Sequence, residues 1–244
     1  MLEHYLRLDP DNEYARHQLA MLSGEQTEAA PAGYVRQVFD EYAERFDSHL
    51  LGKLGYRTPE HLAKWLLTEM SSQPKWKVLD LGCGTGLVGE HIHTRCEELV
   101  GIDLSGRMLD KARERGGYTR LEQEDVLAQM QRETDHHFDV IVSADVFIYI
   151  GKLDELMGQA RRILKPGGLL AFSVESLDAA QSALTEEEIR RGYRLESTGR
   201  YKHARAHLID LAATHGFTVL RHEEVKLREE GHRPVTGQLH LWRG

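Results

Sequence analysis

The chain has 244 residues, 41% of them hydrophobic and 29% charged, which suits a folded globule and not a disordered tail. Its 31 Lys and Arg against 39 Asp and Glu leave a net charge of −8, which argues against nonspecific binding to nucleic acid or an anionic membrane, since both need a basic surface. Two cysteines exclude a disulfide scaffold and a Cys-only zinc site, the charged start MLEHYLRLDPDNEYARHQ has no signal-peptide core, and no run nears the ~18 apolar residues of a membrane span, so a cytoplasmic setting is expected.

In chain order, residues 2–23 read as a small helical piece, with Ala15, Leu19 and Leu22 on one face. Residues 24–32 are linker-like. A helix is expected over 33–52, where Val35, Phe39, Tyr42 and Phe46 recur at helical steps, and another after Thr58-Pro59. The period then changes. KVLDL (77–81), ELVGID (98–103), FDVIVSAD (138–145) and GLLAFSVE (168–175) are short apolar runs alternating with helical stretches near 86–95, 106–115 and 151–164. YTRLEQED (118–125) is a weaker strand, placed nearer the sheet edge. After a helix near 203–214, FTVLRHEEVKLR and TGQLHLWR are joined by Glu-Glu-Gly-His-Arg-Pro, which implies an antiparallel hairpin. The expected fold is α/β: a doubly wound, mostly parallel seven-stranded sheet with a C-terminal antiparallel hairpin, plus N-terminal helices.

The strongest local feature is Val78-Leu79-Asp80-Leu81-Gly82-Cys83-Gly84-Thr85-Gly86, a strand ending in a glycine turn that opens a helix. Gly84 to Gly89 also fits the G-x-G-x-x-G spacing of dinucleotide folds, with Asp103 about 20 residues on, so an NAD(P)-dependent oxidoreductase must be weighed. Charge argues against it. Asp80 lies beside the loop and no Lys or Arg falls between Asp80 and Glu90, so a pyrophosphate would be repelled, whereas a cationic, phosphate-free ligand suits the place.

VLDLGCGTG, GIDLSGRML, EDVL, FDVIVSADVFIYI and LKPGGLLAFS, in order and at βαβ spacing, resemble the five motifs of class I S-adenosylmethionine-dependent methyltransferases. The resemblance covers about residues 33–244 and implies a Rossmann-like methyltransferase domain over 31–244, with residues 1–30 a helical, repeat-like attachment. The segment 39–62 and the repeat-like start resemble predicted methyltransferases that carry tetratricopeptide repeats, which keeps a protein partner at the N-terminal helices in view.

The resemblance implies S-adenosylmethionine as cofactor. Asp80 would orient the loop and hold the amino group, and Gly82 and Gly84 would contact the methionine part and ribose. Asp103 would accept from both ribose hydroxyls, as a two-oxygen carboxylate can. Leu104 and Met108 would pack on adenine, with Asp125 and the Val126 N–H on its polar edge. Ala144 and Asp145 would close the site. Tyr42 or Tyr34, on a helix that closes over the cofactor in the resembling families, would bond its carboxylate. Met108 also reads as plain core, Asp145 as a helix cap and Cys83 as a small buried residue.

Residues 176–202 form an insertion expected over the strand ends. Glu175, Arg200 and Tyr201 are candidate substrate contacts, and His203 and Asp145 candidate catalytic groups. Ser143-Ala144-Asp145-Val146 lacks the Asn/Asp-Pro-Pro-aromatic sequence of enzymes that methylate nucleobase nitrogens or Gln, and no full metal-binding carboxylate set is visible. A small-molecule acceptor is therefore expected. A protein or peptide acceptor and a non-catalytic binding module remain open beside it.

Overall fold

The structure is a computed structural model describing residues 2–52, 54–179, 184–231 and 233–244; part of the expected insertion, 180–183, lies outside the described residues. Helices α1 (Leu2–Leu8), α2 (Glu13–Ser23), α3 (Ala32–Tyr42), α4 (Phe46–Gly52) and α5 (Thr58–Glu69) precede the sheet. Then come β1 (Trp76–Leu81), α6 (Leu87–Ile92), β2 (Cys96–Asp103), α7 (Gly106–Arg115), β3 (Arg120–Gln123), α8 (Val126–Arg132), β4 (Phe138–Ser143), α9 (Asp154–Ile163) and β5 (Leu164–Ser176). The chain closes with α10 (Glu186–Arg191), β6 (Tyr193–Leu195), β7 (Tyr201–His203), α11 (Arg205–Thr214), β8 (Thr218–Glu230) and β9 (Arg233–Arg243).

Strands β3, β2, β1, β4 and β5 are adjacent and parallel, and β9 adds antiparallel to β5 with β8 beyond it. The weak strand 118–125 is the edge strand β3, as its composition implies. Two short strands from the insertion, β7 and β6, attach at the end of β5 through Glu175 and Ser176, so the sheet has nine strands where seven were expected.

Side-chain alternation explains why the central strands read as continuous apolar runs. Val78, Val140 and Val142 face one helix layer with Leu62, Leu66 and Ile92, while Leu79 and Ile141 face the other with Met157, Leu208 and Trp242. Both faces are covered, and each buried aliphatic side chain contributes roughly 1.5–3 kcal/mol by leaving water.

The helix expected over 33–52 is broken. A single tight turn at Ala43–Arg45 separates α3 from α4. Two polar contacts tie the halves to different places: Ser105 Oγ donates to Asp40 at 2.6 Å, and Thr85 Oγ1 donates to Asp47 at 2.6 Å. A straight helix has one axis, and the turn lets both halves reach their anchors. Helix α8 has no counterpart in the sequence reading. It starts because Asp125 caps it, accepting from the Leu127 and Ala128 N–H groups at 2.9 and 3.1 Å.

The N-terminal helices dock on the insertion. Ala20 packs in one cluster with Tyr193, Leu195 and Tyr201, the Gln26 side chain takes the Leu195 N–H at 2.7 Å, and the His17 ring meets the Gly199 carbonyl at 3.4 Å. Among the described residues, no helix is long and apolar enough to cross a membrane.

Candidate functional site

The strand order changes direction between β1 and β4, which leaves a crevice at the strand ends where open α/β sheets bind ligands. A cavity of about 790 Å3 fills it, within the usual range of ligand sites, about 300–1,000 Å3. Gly82, Gly84, Asp103, Leu104, Asp125, Val126, Ala144 and Asp145 line its floor, and Phe39, Tyr42, Phe46 and Tyr149 lie across its roof.

The loop after β1 needs glycine for two separate reasons. Gly82 has φ +63°, and a Cβ there would fall 2.2 Å from Val146 Cγ2. Gly84 has φ +54°, and a Cβ there meets nothing within 4 Å, so this face of the loop opens to the cavity. Asp103 holds the loop in place: its Oδ2 accepts the Gly84 N–H at 2.9 Å and its Oδ1 the Ser105 N–H at 2.8 Å. Burial pushes the Asp103 carboxyl up to about 6 despite these donors.

Asp80 sits beneath the loop and does not line the cavity. Its Oδ2 accepts from Tyr118 OH at 2.6 Å, while Oδ1 is buried with no partner among the described residues. Burial raises its pKa to about 7, against the relief given by Tyr118. Local sequence showed no cation beside this loop, but the tertiary structure brings Arg115 there. Its Nε donates to the Thr85 carbonyl at 2.8 Å, and its charge is met by Asp47 and Glu90. It is not among the cavity-lining residues, whose cations are Lys152, Arg200 and Arg228.

Several expected site residues are elsewhere. Met108 is fully buried in the core and does not reach the cavity; its place on a helix face already allowed that reading. Tyr201 is also fully buried, where it shares a 2.5 Å hydrogen bond with Thr27 and packs with Tyr193, so it faces the N-terminal docking surface and not a substrate. His203 is fully buried away from the cavity. Its Nε2 donates to the Gly151 carbonyl at 3.1 Å, and burial lowers its pKa to about 4. A ring that is neutral and walled off cannot meet an acceptor, so its assignment as a catalytic base is withdrawn.

Arg200 and Asp145 line the cavity as expected, but their main partner was not foreseen. Arg228 donates to Asp145 at 2.9 Å, to Glu230 at 2.8 Å and to Glu175, while Arg200 donates to Glu175 at 2.7 Å and Glu230 at 2.6 Å. Glu175 lies behind the two guanidiniums and does not line the cavity. Burial acts against the Arg228 charge, but Asp145, Glu175 and Glu230 together hold its pKa above the ordinary value. A register shift between Lys226 and Arg228 makes Leu227 an extra residue in β8, so Leu227 and Arg228 are both buried in sequence. Asp145 itself has φ +59°, a conformation a non-glycine side chain adopts only when its surroundings impose it. Ser173 Oγ donates to its Oδ1 at 2.7 Å, and its own N–H donates to Ser173 Oγ at 2.8 Å.

This fold, with its glycine loop and crevice, is the Rossmann-like fold of class I S-adenosylmethionine-dependent methyltransferases. Residues 78–168 match the family model described as a methyltransferase domain. The chain is 26% identical over 193 residues, 78% of its length and 70% of the relative's, to the malonyl-[acyl-carrier protein] O-methyltransferase of Salmonella typhimurium. It is 29% identical over 126 residues to an uncharacterized methyltransferase of Schizosaccharomyces pombe, covering 47% of this chain and 44% of that one, so it spans about half the length of that relative. Among solved structures, the N-methyltransferase NodS from Bradyrhizobium japonicum, in complex with S-adenosyl-L-homocysteine, superposes with a TM-score of 0.61 at 20% identity, over 86% of this chain and 98% of that one.

Proposed function

We propose that the chain transfers a methyl group from S-adenosylmethionine to a small-molecule acceptor. The observation that carries this reading is the charge of the cavity wall: beside the Gly82–Gly84 loop it presents the carboxylates Asp103 and Asp125, while its cations Lys152, Arg200 and Arg228 all come from segments after β4. A dinucleotide pyrophosphate would face acids there, whereas a ligand with ammonium, sulfonium and ribose hydroxyls would not. The residues fit such a group. Asp103 has acceptor capacity left on both oxygens, Gly84 leaves open space, and the orphaned Asp80 Oδ1 lies under the loop. The cofactors named for the solved relatives agree with this reading.

When bound, S-adenosylmethionine supplies a methyl carbon activated by its sulfonium. The chain's part is to align the acceptor and exclude water. Asp103 would hold the ribose diol, Asp125 and Val126 the adenine edge, and Leu104 its face. Tyr42, whose hydroxyl bonds the His49 ring, lies in the roof with Phe46 and would close over the methionine end. Ala144 and Asp145 would border the acceptor. The roofed cavity supports a small acceptor over a protein segment.

Calorimetry tests the reading. S-adenosylhomocysteine is expected to bind and NADH not to bind. The converse result, or S-adenosylhomocysteine that binds away from the 82–86 loop in a co-crystal, overturns it.

A further inference from the structure

Gly89 in α6 and Gly101 in β2 have ordinary backbone conformations, so nothing in φ requires glycine at either place. Space does. A Cβ at Gly89 would fall 2.6 Å from Tyr118 Cε2, and one at Gly101 would fall 2.7 Å from Tyr118 Cε1, with Cys83 and Leu121 nearly as close. Gly86 needs its φ of +88° for the turn, and a Cβ there would also meet the Tyr118 ring, at 3.1 Å. The last glycine of the G-x-G-x-x-G spacing therefore makes room for an aromatic side chain, where a dinucleotide fold uses it for close contact of helix and strand.

The segment between α7 and β3 delivers that ring. Gly116 and Gly117, with φ of +80° and +94°, turn the chain back. Thr119 then pins it to β2: its N–H donates to the Leu99 carbonyl at 2.9 Å, and its hydroxyl accepts the Leu99 N–H at 3.0 Å. Tyr118 packs beside the α6 core, and its hydroxyl donates to Asp80 Oδ2 at 2.6 Å. Asp80 is 1% exposed, and its Oδ1 has no partner among the described residues. A carboxylate buried on a single partner depends heavily on that partner for its charge. Neither residue lines the cavity.

From the ring that three glycines accommodate and the half-satisfied carboxylate at its tip, we infer that Tyr118 is a positioning residue for the cofactor: its hydroxyl holds the Asp80 carboxylate beneath the glycine loop through Oδ2 and leaves Oδ1 as the charge that favours the cofactor's ammonium. The inference rests on the proposed use of S-adenosylmethionine. Besides Tyr118, the titratable groups facing Asp80 are Asp103 of β2, Cys83 of the loop, Cys96 at the start of β2 and Tyr56 ahead of α5. Burial raises both tyrosines and both cysteines, so they stay neutral up to pH 8.5. Two charged or titratable neighbours have other partners: the His93 ring meets the Gly89 carbonyl, and Arg115 meets the Thr85 carbonyl, Asp47 and Glu90. Only Asp80 and Asp103 then change charge across the working range.

Tyr118→Phe keeps the ring and removes the donor. Carboxyl carbon-13 NMR on the cofactor-free chain, with the Asp80 signal assigned by its loss in Asp80→Asn, is expected to show the Asp80 midpoint near 7 in the wild type and about one pH unit higher in Tyr118→Phe. Calorimetry with S-adenosylhomocysteine is expected to show an affinity loss in Tyr118→Phe of about fivefold at pH 7 that shrinks below about twofold at pH 8.5, where Asp80 is ionised in both proteins. On an Asp80→Asn background the same substitution should change affinity less than about twofold at either pH. A loss of equal size at both pH values, or one undiminished on the Asp80→Asn background, overturns the inference and leaves Tyr118 as packing alone. An unmoved Asp80 midpoint overturns it as well. A wild-type chain that binds no S-adenosylhomocysteine at any pH instead overturns the methyl-transfer reading, and this inference with it.

Discussion

Asp103, at the end of β2, accepts the backbone N–H of Gly84 in the loop after β1, with 2.9 Å between donor and acceptor. One carboxylate therefore shapes the glycine loop and faces the cavity beside it. Asp103→Ala is expected to weaken S-adenosylhomocysteine about 100-fold or more, since it removes a charged acceptor and loosens the loop together. Asp103→Asn keeps one acceptor oxygen and should lose less. The carboxyl titrates near 6 in the free protein, and hydroxyl donors favour its ionised form, so affinity should fall as pH drops below about 6 and binding near that pH should release protons. Calorimetry in buffers of different ionisation enthalpy measures both effects.

Burial raises Asp80 from 3.8 to about 7. The folded chain then keeps a proton that the unfolded chain releases between these values, so this group's contribution is intact below about pH 4 and is lost as pH rises through 7. Asp80→Asn removes the ionisation and leaves Tyr118 an oxygen to bond. The variant should match the wild type near pH 4 and exceed it near pH 8 by a few kcal/mol, at about 1.4 kcal/mol per tenfold change in ionisation constant. Urea unfolding at the two pH values reads the difference; equal gains at both would contradict the assignment.

The roof is latched to the floor by side chains. Asp47 in α4 accepts from Thr85 Oγ1 at 2.6 Å and pairs with Arg115, and Asp40 in α3 accepts from Ser105 Oγ at 2.6 Å. Ligand passage must disturb these contacts. Asp47→Ala should raise the dissociation rate of S-adenosylhomocysteine by about tenfold, the worth of roughly 1–2 kcal/mol of hydrogen bond and ion pair. Stopped-flow measurement against Glu114→Ala, a change on the exposed face of α7, checks the claim.

His203 and Tyr201 are expected to behave as core. His203→Ala opens a hole and strands the Gly151 carbonyl, at a cost of about 2–4 kcal/mol in stability. The protein that still folds should keep the wild-type pH profile of kcat, which a lost general base would not allow. Ala20→Asp, which puts a charge into the packing of α2 on Tyr193 and Tyr201, should destabilise to a similar extent, and a thermal melt that did not move would show that the N-terminal helices are loosely attached.

The parallel core was readable because each central strand is covered on both faces, so β1, β4 and β5 carry apolar residues at successive positions. The glycine loop was readable for a related reason: Gly82 and Gly84 are dictated by backbone conformation at the strand end. Helix α8 was missed because Asp125, its cap, was read as a ligand contact. Arg228 was missed because a bulge, which leaves no mark in single-strand alternation, buries it next to Leu227. His203 and Tyr201 were misplaced because a short polar segment gave no sign that it forms β7 and packs against α2 and α9's leading loop.

By itself, then, the sequence determined the order of elements, the tight loop after the first strand and the carboxylates at strand ends. These follow from local conformational limits and from two-sided burial, which are encoded residue by residue. Only the tertiary structure decided which of those acids face the cavity, that Arg115 reaches the loop from outside, and that Arg200 and Arg228 are paired with Asp145, Glu175 and Glu230. Charge balance depends on distances between residues far apart in the chain, as with Asp145 and Arg228, 83 positions apart and 2.9 Å distant. Such pairings are fixed by packing the sheet and its hairpin, and composition carries no record of them.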